Sequence, residues 1–235
     1  MFAVLFVALL TRLVWPMLKL DGPSYTSLFQ GAFRTNTYVG ISIAAALLGP
    51  DWMTLSAMAM MSMIPVINVI CVLVLLRHGY GNEGGSRKVV LALVKNPLVA
   101  ACLIGMCANI LDLSLPRVLN DLLDILGRAA LPLGLLATGA GLRFQKIDGG
   151  KRSLAASSVL HLLVLPSLAA GLCILFGGDE LALRTAVIYT AIPVSVSSFI
   201  LARQMGGNYR LMAQIITFQT MISMVTLPVM LTVLT

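Results

Sequence analysis

The sequence predicts an all-α integral membrane protein with about eight transmembrane helices, and both its composition and the spacing of its apolar runs indicate this. Of the 235 residues, 59% are hydrophobic and only 11% are charged, and the mean hydropathy is +0.97. A membrane-spanning helix needs about 20 apolar residues. Eight such segments follow one another: residues 1–18, 30–49, 53–76, 89–111, 118–142, 153–176, 183–203 and 211–234. Because little chain remains between them, we predict a single membrane domain over residues 1–235.

The basic residues are distributed as membrane topology requires. The net charge of +7 would also suit a nucleic-acid partner, but the positions of the basic residues along the chain fit a membrane topology instead. If the first span starts outside, the inner side holds thirteen basic residues: Arg12, Lys19, Arg34, Arg77, Arg87, Lys88, Lys95, Arg143, Lys146, Lys151, Arg152, Arg203 and Arg210. Only Arg117 and Arg184 fall outside, and Arg128 lies within a span. Because cytoplasmic loops carry the excess of Lys and Arg, we predict an inner-membrane protein with both termini outside and no nucleic-acid partner.

The seventh candidate span contains a proline near its middle, followed by hydroxyl side chains. Pro193 lies within the apolar stretch of residues 183–201, and Ser195, Ser197 and Ser198 come soon after it. Proline lacks an amide donor and crowds the carbonyl four residues earlier, so the helix is interrupted there. Hydrocarbon cannot satisfy the backbone groups that such a break frees. We therefore predict a broken helix with a polar site at membrane depth.

The sequence lacks the motifs that indicate an enzyme or a resident cofactor. There is no His-Glu-x-x-His, no Gly-x-Ser-x-Gly and no phosphate-binding glycine loop, and neither His78 nor His161 has a metal-ligand partner at helical spacing. The acidic residues fall near span ends: Asp21, Asp51, Glu83, Asp112, Asp121, Asp124, Asp148, Asp179 and Glu180. We therefore predict no enzymatic activity and no cofactor. Because no acidic residue is expected in mid-membrane at a transport site, an anionic substrate remains possible. We expect neighbouring backbone or hydroxyl groups to satisfy the His161 imidazole, in preference to a proton relay.

Several segments in a fixed order carry a family resemblance. Residues 34–40 read RTNTYVG, residues 96–98 read NPL, residues 126–142 read LGRAALPLGLLATGAGL, and residues 192–207 read IPVSVSSFILARQMGG. Together these segments resemble the auxin efflux carrier family, whose bacterial members are described mainly as malate or malonate permeases. The resemblance runs the whole length of the chain. The alanine-leucine-proline and alanine-arginine-glutamine segments are its most specific parts.

The resemblance implies two five-helix inverted repeats, each with one broken helix, and the two broken helices cross near the membrane midplane. Counted against this pattern, residues 1–77 are the last three helices of the first repeat, and residues 89–143 are the two scaffold helices of the second. Residues 153–235 are the three transport-unit helices of the second repeat. The chain thus begins at the third helix of the pattern. We expect either two further in-frame apolar segments upstream or no transport by this chain alone.

Matching the segments residue by residue places Asn36 and Thr37 at the first break, and Pro193 with Ser195 at the second. Thr35 stands where plant relatives carry a proline. We therefore expect a weaker kink at the first break, or one made by Asn36 alone.

The candidate substrate-binding residues bring amide and hydroxyl groups to the two breaks. They are Asn36, Thr37, Pro193, Ser195, Ser197 and Ser198, with Asn68 of the third span as a supporting amide. The amino terminus of a half-helix presents unpaired amides and the positive end of its dipole, which suits a carboxylate. The alternative for Asn36 and Asn68 is that they only tie helices together through interhelical hydrogen bonds.

The sequence therefore favours a secondary transporter, or permease, that moves small organic anions such as malate or malonate by alternating access. The protein lies in the lipid bilayer, and the sequence does not decide whether it forms a homodimer. Three alternatives remain: a transporter of the same fold for an amino acid, an indole-type weak acid or a bile-acid-like compound; a non-transporting membrane module; and a non-functional truncated fragment. A membrane-embedded enzyme would need a buried catalytic pair that the sequence does not contain.

Overall fold

The structure, a computed structural model, describes residues 1–79, 97–113, 115–140, 142 and 150–235. The first part of the predicted span 89–111 lies outside these ranges. So do five of the basic residues that were predicted on the inner side: Arg87, Lys88, Lys95, Arg143 and Lys146. Within the described ranges every regular element is a helix. The all-α membrane fold class is confirmed.

The helices follow the predicted spans closely, although two spans are split. In chain order they are α1 (Phe2–Leu18), α2 (Gly22–Gly31), α3 (Thr37–Leu47), α4 (Trp52–His78), α5 (Pro97–Ile110), α6 (Arg117–Ala140), α7 (Lys151–Leu175), α8 (Glu180–Ala191), α9 (Ser197–Gln204) and α10 (Tyr209–Leu234). A 3₁₀ turn, Gly49–Asp51, leads into α4, and α7 contains a π-helical turn at Leu160–Val164. By length and composition, four helices of the described residues can cross a membrane: α4 with its preceding turn, α6, α7 and α10.

Polar residues between the spans begin several of these helices. Asp21 accepts a hydrogen bond from a first-turn amide of α2, and Asp179 accepts one from a first-turn amide of α8. Asn208 does the same for α10. The side-chain oxygen satisfies an amide that has no partner within the helix. Acidic residues near span ends therefore have a structural use here that is independent of transport.

Two of the predicted spans are broken helices that cross each other. The first consists of α2 and α3, which are separated at residues 32–36, and the second consists of α8 and α9, which are separated at residues 192–196. The backbone at Asn36 and Ile192 is extended. Thr35 and Val194 form an isolated antiparallel bridge where the two breaks meet. The expected pair of broken crossing helices is therefore present.

The two breaks satisfy each other's backbone groups. The Asn36 amide donates to the Pro193 carbonyl at 2.8 Å, and the Ser195 amide donates to the Arg34 carbonyl at 2.8 Å. The expectation of a weaker kink at Thr35 is wrong, because the first break is as complete as the second although it contains no proline. Hydrogen bonds across the crossing hold the extended backbone there, so proline is not required at that position.

The first broken helix also begins earlier than the sequence predicted. The predicted span starts at residue 30, whereas α2 begins at Gly22 and is buried from Pro23 to Gly31. Hydroxyl groups made this segment look like a loop. In the structure Thr26 donates to the Pro23 carbonyl at 2.7 Å, and Ser27 donates to the Asn208 carbonyl at 2.8 Å. A helix enclosed by protein can carry polar side chains when their hydrogen bonds are made internally.

The helix ends separate into two faces with different charge. We call one the basic face, because the ends that meet there carry Lys19, Arg77, Lys151, Arg152, Arg203 and Arg210. Contacts such as the hydrogen bond from Asn208 to Ser24 join these ends. The opposite face carries Asp51, Asp112, Arg117, Asp179, Glu180 and Arg184, and the rings of Phe2 and Phe176 meet there. The described part of the chain thus keeps the charge asymmetry that was read from the sequence.

Candidate functional site

A cavity of about 420 Å³ lies where the two broken helices cross. Its walls come from both breaks, from α4 and from α6. Five of the predicted site residues line this one cavity: Asn36, Thr37, Asn68, Ser195 and Ser197. The volume falls within the range of small-molecule sites, roughly 300–1,000 Å³. The structure thus brings together residues that lie far apart in the chain, and substrate binding by them stays a prediction.

The other two predicted site residues do not line the cavity. Pro193 is buried at the crossing, where its carbonyl accepts the Asn36 amide. Ser198 is fully buried, and its hydroxyl has no hydrogen-bond partner in the described part of the chain. Both residues therefore lie behind the cavity wall, where they shape the second break.

The second half of each broken helix begins at the cavity. Thr37 and Tyr38 at the start of α3 line it, as does Ser197 at the start of α9. Asn36 is the residue before α3, and its side chain makes no capping hydrogen bond to that helix. Since helix dipoles place partial positive charge at amino termini, both half-helices contribute positive potential to the same cavity.

The opposite wall comes from α6, which contacts the crossing through small residues. Asn36 Nδ2 donates to Thr138 Oγ1 at 3.1 Å, and the Thr138 hydroxyl donates to the Gly134 carbonyl at 2.8 Å. Gly134 lies against the Tyr38 ring so closely that a side chain at this position would overlap it. Asn36 therefore makes the interhelical hydrogen bond that was its alternative role, and it also lines the cavity.

Arg34 is the basic residue of the cavity, and sequence analysis misplaced it. The prediction counted Arg34 with the inner side of the membrane, at the start of the span 30–49, but the structure places it within the first break with only 3% of its surface exposed. Its guanidinium donates to Gln30 Oε1 at 3.2 Å, to Asn68 Oδ1 at 3.0 Å and to Ser197 Oγ at 3.2 Å. The assignment to the inner side is wrong because the segment continues as α2 before Arg34 and as α3 after it.

Gln219 and His161, which do not line the cavity, form hydrogen bonds at the two breaks. Gln219 is fully buried in α10; its Oε1 accepts the Val194 amide at 3.2 Å, and its Nε2 donates to the Gly31 carbonyl at 2.8 Å. His161 Nδ1 lies 2.9 Å from the same Gly31 carbonyl. The expected hydrogen bond between this imidazole and backbone is present at Nδ1, whereas Nε2 is buried and has no hydrogen-bond partner in the described part of the chain. One glutamine thus contacts both breaks at once.

Comparison with known proteins identifies the family. The chain matches the membrane transport protein family over residues 85–231, which is more than half of its length. The chain belongs to this family. It is the auxin efflux carrier family that the sequence segments resemble.

A curated relative matches about two thirds of the chain. An "Uncharacterized transporter" of Methanothermobacter thermautotrophicus is 27% identical over 154 residues, which cover 66% of this chain and 50% of the relative. The chain thus spans about half the length of the curated relative it matches. No solved structure matches the chain.

For this auxin efflux carrier family member, two signals could have revealed the residues that the sequence reading missed. Arg34 is two positions from Asn36, inside the segment that carries the family resemblance. Thr138 also lies in such a segment, within residues 126–142. Gln219 had no comparable signal, because it is one of several polar residues in α10, among them Gln214 and Thr220.

Proposed function

We propose that this chain forms the substrate path of a secondary transporter for small organic anions, with malate or malonate as the representative substrates. Transport occurs by alternating access, and the anion binds in the cavity at the crossing. The observation that carries the proposal is the convergence of two half-helix amino termini, those of α3 and α9, on one cavity. Family membership supports the transporter class.

The electrostatics of the cavity favour an anion. Backbone amides and helix dipoles at Thr37 and Ser197 present positive potential to the cavity. Its lining includes Arg34 and no Asp or Glu. A cation would meet no compensating charge from these residues, whereas a carboxylate would meet hydrogen-bond donors.

A second cavity does not compete for this role. It has a volume of about 450 Å³ and lies between α1, α4, α7 and α8. Its lining is mostly apolar and contains no Lys or Arg side chain. Burying an anion there would leave its charge without donors of matching strength.

Alternating access requires one side of the cavity to move relative to the other. The crossing packs against α4, α7 and α10, whereas α6 meets it mainly through small residues around Gly134. We therefore assign α6 to the static scaffold and the crossing to the moving unit. Small residues let the two surfaces approach closely, and the movement would separate the Tyr38 ring from Gly134 and break the hydrogen bond between Asn36 and Thr138.

Counterflow in proteoliposomes tests the proposal. Vesicles preloaded with unlabelled malonate should accumulate labelled malonate through the protein, and a parallel panel should contain malate, an amino acid, an indole acid and a bile acid. Accumulation of carboxylate anions supports the proposal. Accumulation restricted to zwitterionic or neutral compounds would contradict it, and so would a protein that neither accumulates nor binds any of the anions.

The proposed orientation places the basic face in the cytoplasm of a cell with an inner membrane. Single cysteines at Gln204 and Asp51, both exposed and on opposite faces, should distinguish the two possible orientations in the membrane. They are introduced in a background without the four native cysteines. An impermeant maleimide added to intact cells should label Asp51→Cys and leave Gln204→Cys unlabelled. The reverse pattern would mean that the charge count has given the wrong topology.

A further inference from the structure

Arg34 occupies an unusual position for a charged side chain in a membrane protein. It lies near the middle of the broken helix that runs from Gly22 to Leu47, and it is 3% exposed. It is therefore far along the chain from both helix ends that reach the membrane surfaces. A long side chain near a helix end can extend to the interface, but this one cannot.

The groups that hold the guanidinium are neutral. Its three hydrogen bonds go to the amide oxygens of Gln30 and Asn68 and to the hydroxyl of Ser197. The Cys71 thiol, a weak acceptor, also lies beside it. A guanidinium has five N–H donors, so the three bonds leave donors available at the cavity.

No carboxylate pairs with Arg34 among the described residues. The ion pairs found there are Arg128 with Asp124 and Arg184 with Glu180, and all four side chains are largely exposed. The other described acidic residues lie on helix ends or on the exposed side of α6. Within these ranges the positive charge of Arg34 is solvated by dipoles but is not neutralised.

This arrangement stabilises a bound anion more than it stabilises an empty cavity. Neutral oxygens satisfy individual donors, but a buried charge without a counter-ion still costs free energy. Arginine keeps its proton in proteins, so it cannot relieve that cost by becoming neutral. A carboxylate in the adjoining cavity supplies the missing charge, and its two oxygens match the planar guanidinium.

We propose that Arg34 is the fixed counter-ion of the substrate: its guanidinium binds one carboxylate of the transported anion and selects carboxylates over neutral molecules of the same shape. This rests on the proposed function, since it assumes that the cavity receives the solute. The inference assigns charge selectivity to a single residue, whereas the proposed function rests mainly on the helix termini at the cavity.

Replacing the charge tests the role directly. In Arg34→Gln the amide keeps a donor but not the charge, so the affinity for malonate should fall on the order of 100-fold, as expected when one partner of a buried charge pair is removed. Arg34→Lys keeps the charge and should retain part of that affinity. Arg210→Gln, on the exposed basic face, is the matched control and should bind like the wild type. Binding of labelled malonate to purified protein and counterflow are both measured.

Asn68→Asp provides a second variant that preserves the shape of the site. Asn68 Oδ1 lies 3.0 Å from the Arg34 guanidinium, so an aspartate there would supply an internal counter-ion. We expect this protein to unfold at a higher temperature than the wild type and to lose malonate binding. This readout remains available if Arg34→Gln does not fold.

The outcomes separate this inference from the proposed function. If wild-type protein binds malonate and its neutral diamide equally well, or if Arg34→Gln and Asn68→Asp bind malonate with wild-type affinity, the counter-ion role is overturned while anion transport stands. If wild-type protein neither moves nor binds any anion, the proposed function fails and the inference fails with it. Loss of malonate binding in both variants, with Arg210→Gln unaffected, supports the inference.

Discussion

Thr35 and Val194 pair as an antiparallel bridge, although each belongs to a helix that is interrupted only for these few residues. The pair brings the amide of Asn36 to the carbonyl of Pro193 and the amide of Ser195 to the carbonyl of Arg34. Extended backbone at membrane depth is tolerated only where protein satisfies it. The crossing therefore satisfies the backbone groups of the two breaks and also brings polar groups to a cavity.

Asn36→Ala tests whether the amide binds substrate or only ties helices. The variant loses the hydrogen bond to Thr138 and a polar group of the cavity, and we expect malonate affinity to fall at least about tenfold, as for a hydrogen bond to a charged group. Thr138→Val removes the same interhelical bond but keeps the Asn36 amide, so it should bind within about tenfold of wild type. The amount of folded protein, from size-exclusion chromatography, should be nearly unchanged in both. Normal binding by Asn36→Ala would show that the amide is a packing tie.

Gly134→Leu tests the assignment of α6 as a cavity wall. A leucine at this position would overlap the Tyr38 ring and enter the cavity, so we expect a loss of malonate affinity of roughly 10- to 100-fold from overpacking. Gly139→Leu is the control on the same helix, because a Cβ at that position would meet no atom of the described residues within 4 Å. Equal malonate binding by the two variants would mean that α6 does not bound the site.

Gln219→Leu tests whether the hydrogen bonds of Gln219 to both broken helices stabilise the fold. The substitution removes the partner of the Val194 amide and one partner of the Gly31 carbonyl, and an unpaired buried amide costs about 1–3 kcal/mol. The free energy of unfolding should fall by that amount, seen as a lower thermal midpoint in detergent. Gln204→Leu, at an exposed position, should change the free energy of unfolding by about 0.5 kcal/mol or less. A Gln219→Leu protein as stable as this control would refute the structural role.

The cause of the second helical break is local, whereas hydrogen bonds across the crossing hold the first. Pro193 and the serines after it mark the second break within a single apolar run, and the family resemblance placed the first break at Asn36 and Thr37. Those predictions put five side chains around one cavity. The start of α2 was missed, because its hydroxyl groups resemble a loop until their internal hydrogen bonds are known.

Arg34 and Gln219 were missed for a different physical reason. Counting basic residues to assign topology treats every arginine near the end of an apolar run as a loop residue, and this one is buried at the crossing. Gln219 bonds to a carbonyl 188 positions away in sequence. No pattern along one helix reveals such a contact, since it depends on how the broken helices pack together.

The central claim, that the anion binds at the crossing, is tested most directly by substrate protection of a cysteine there. Ser197→Cys lies at the cavity, and Gln204→Cys lies at the exposed end of the same helix; both are made without the native cysteines and must still bind malonate. At about ten times the dissociation constant, malonate should slow maleimide labelling of Ser197→Cys about tenfold, because occupied protein is shielded. Labelling of Gln204→Cys should not change. If malonate binds and the labelling rate of Ser197→Cys stays the same, the substrate does not occupy the crossing and the account is contradicted.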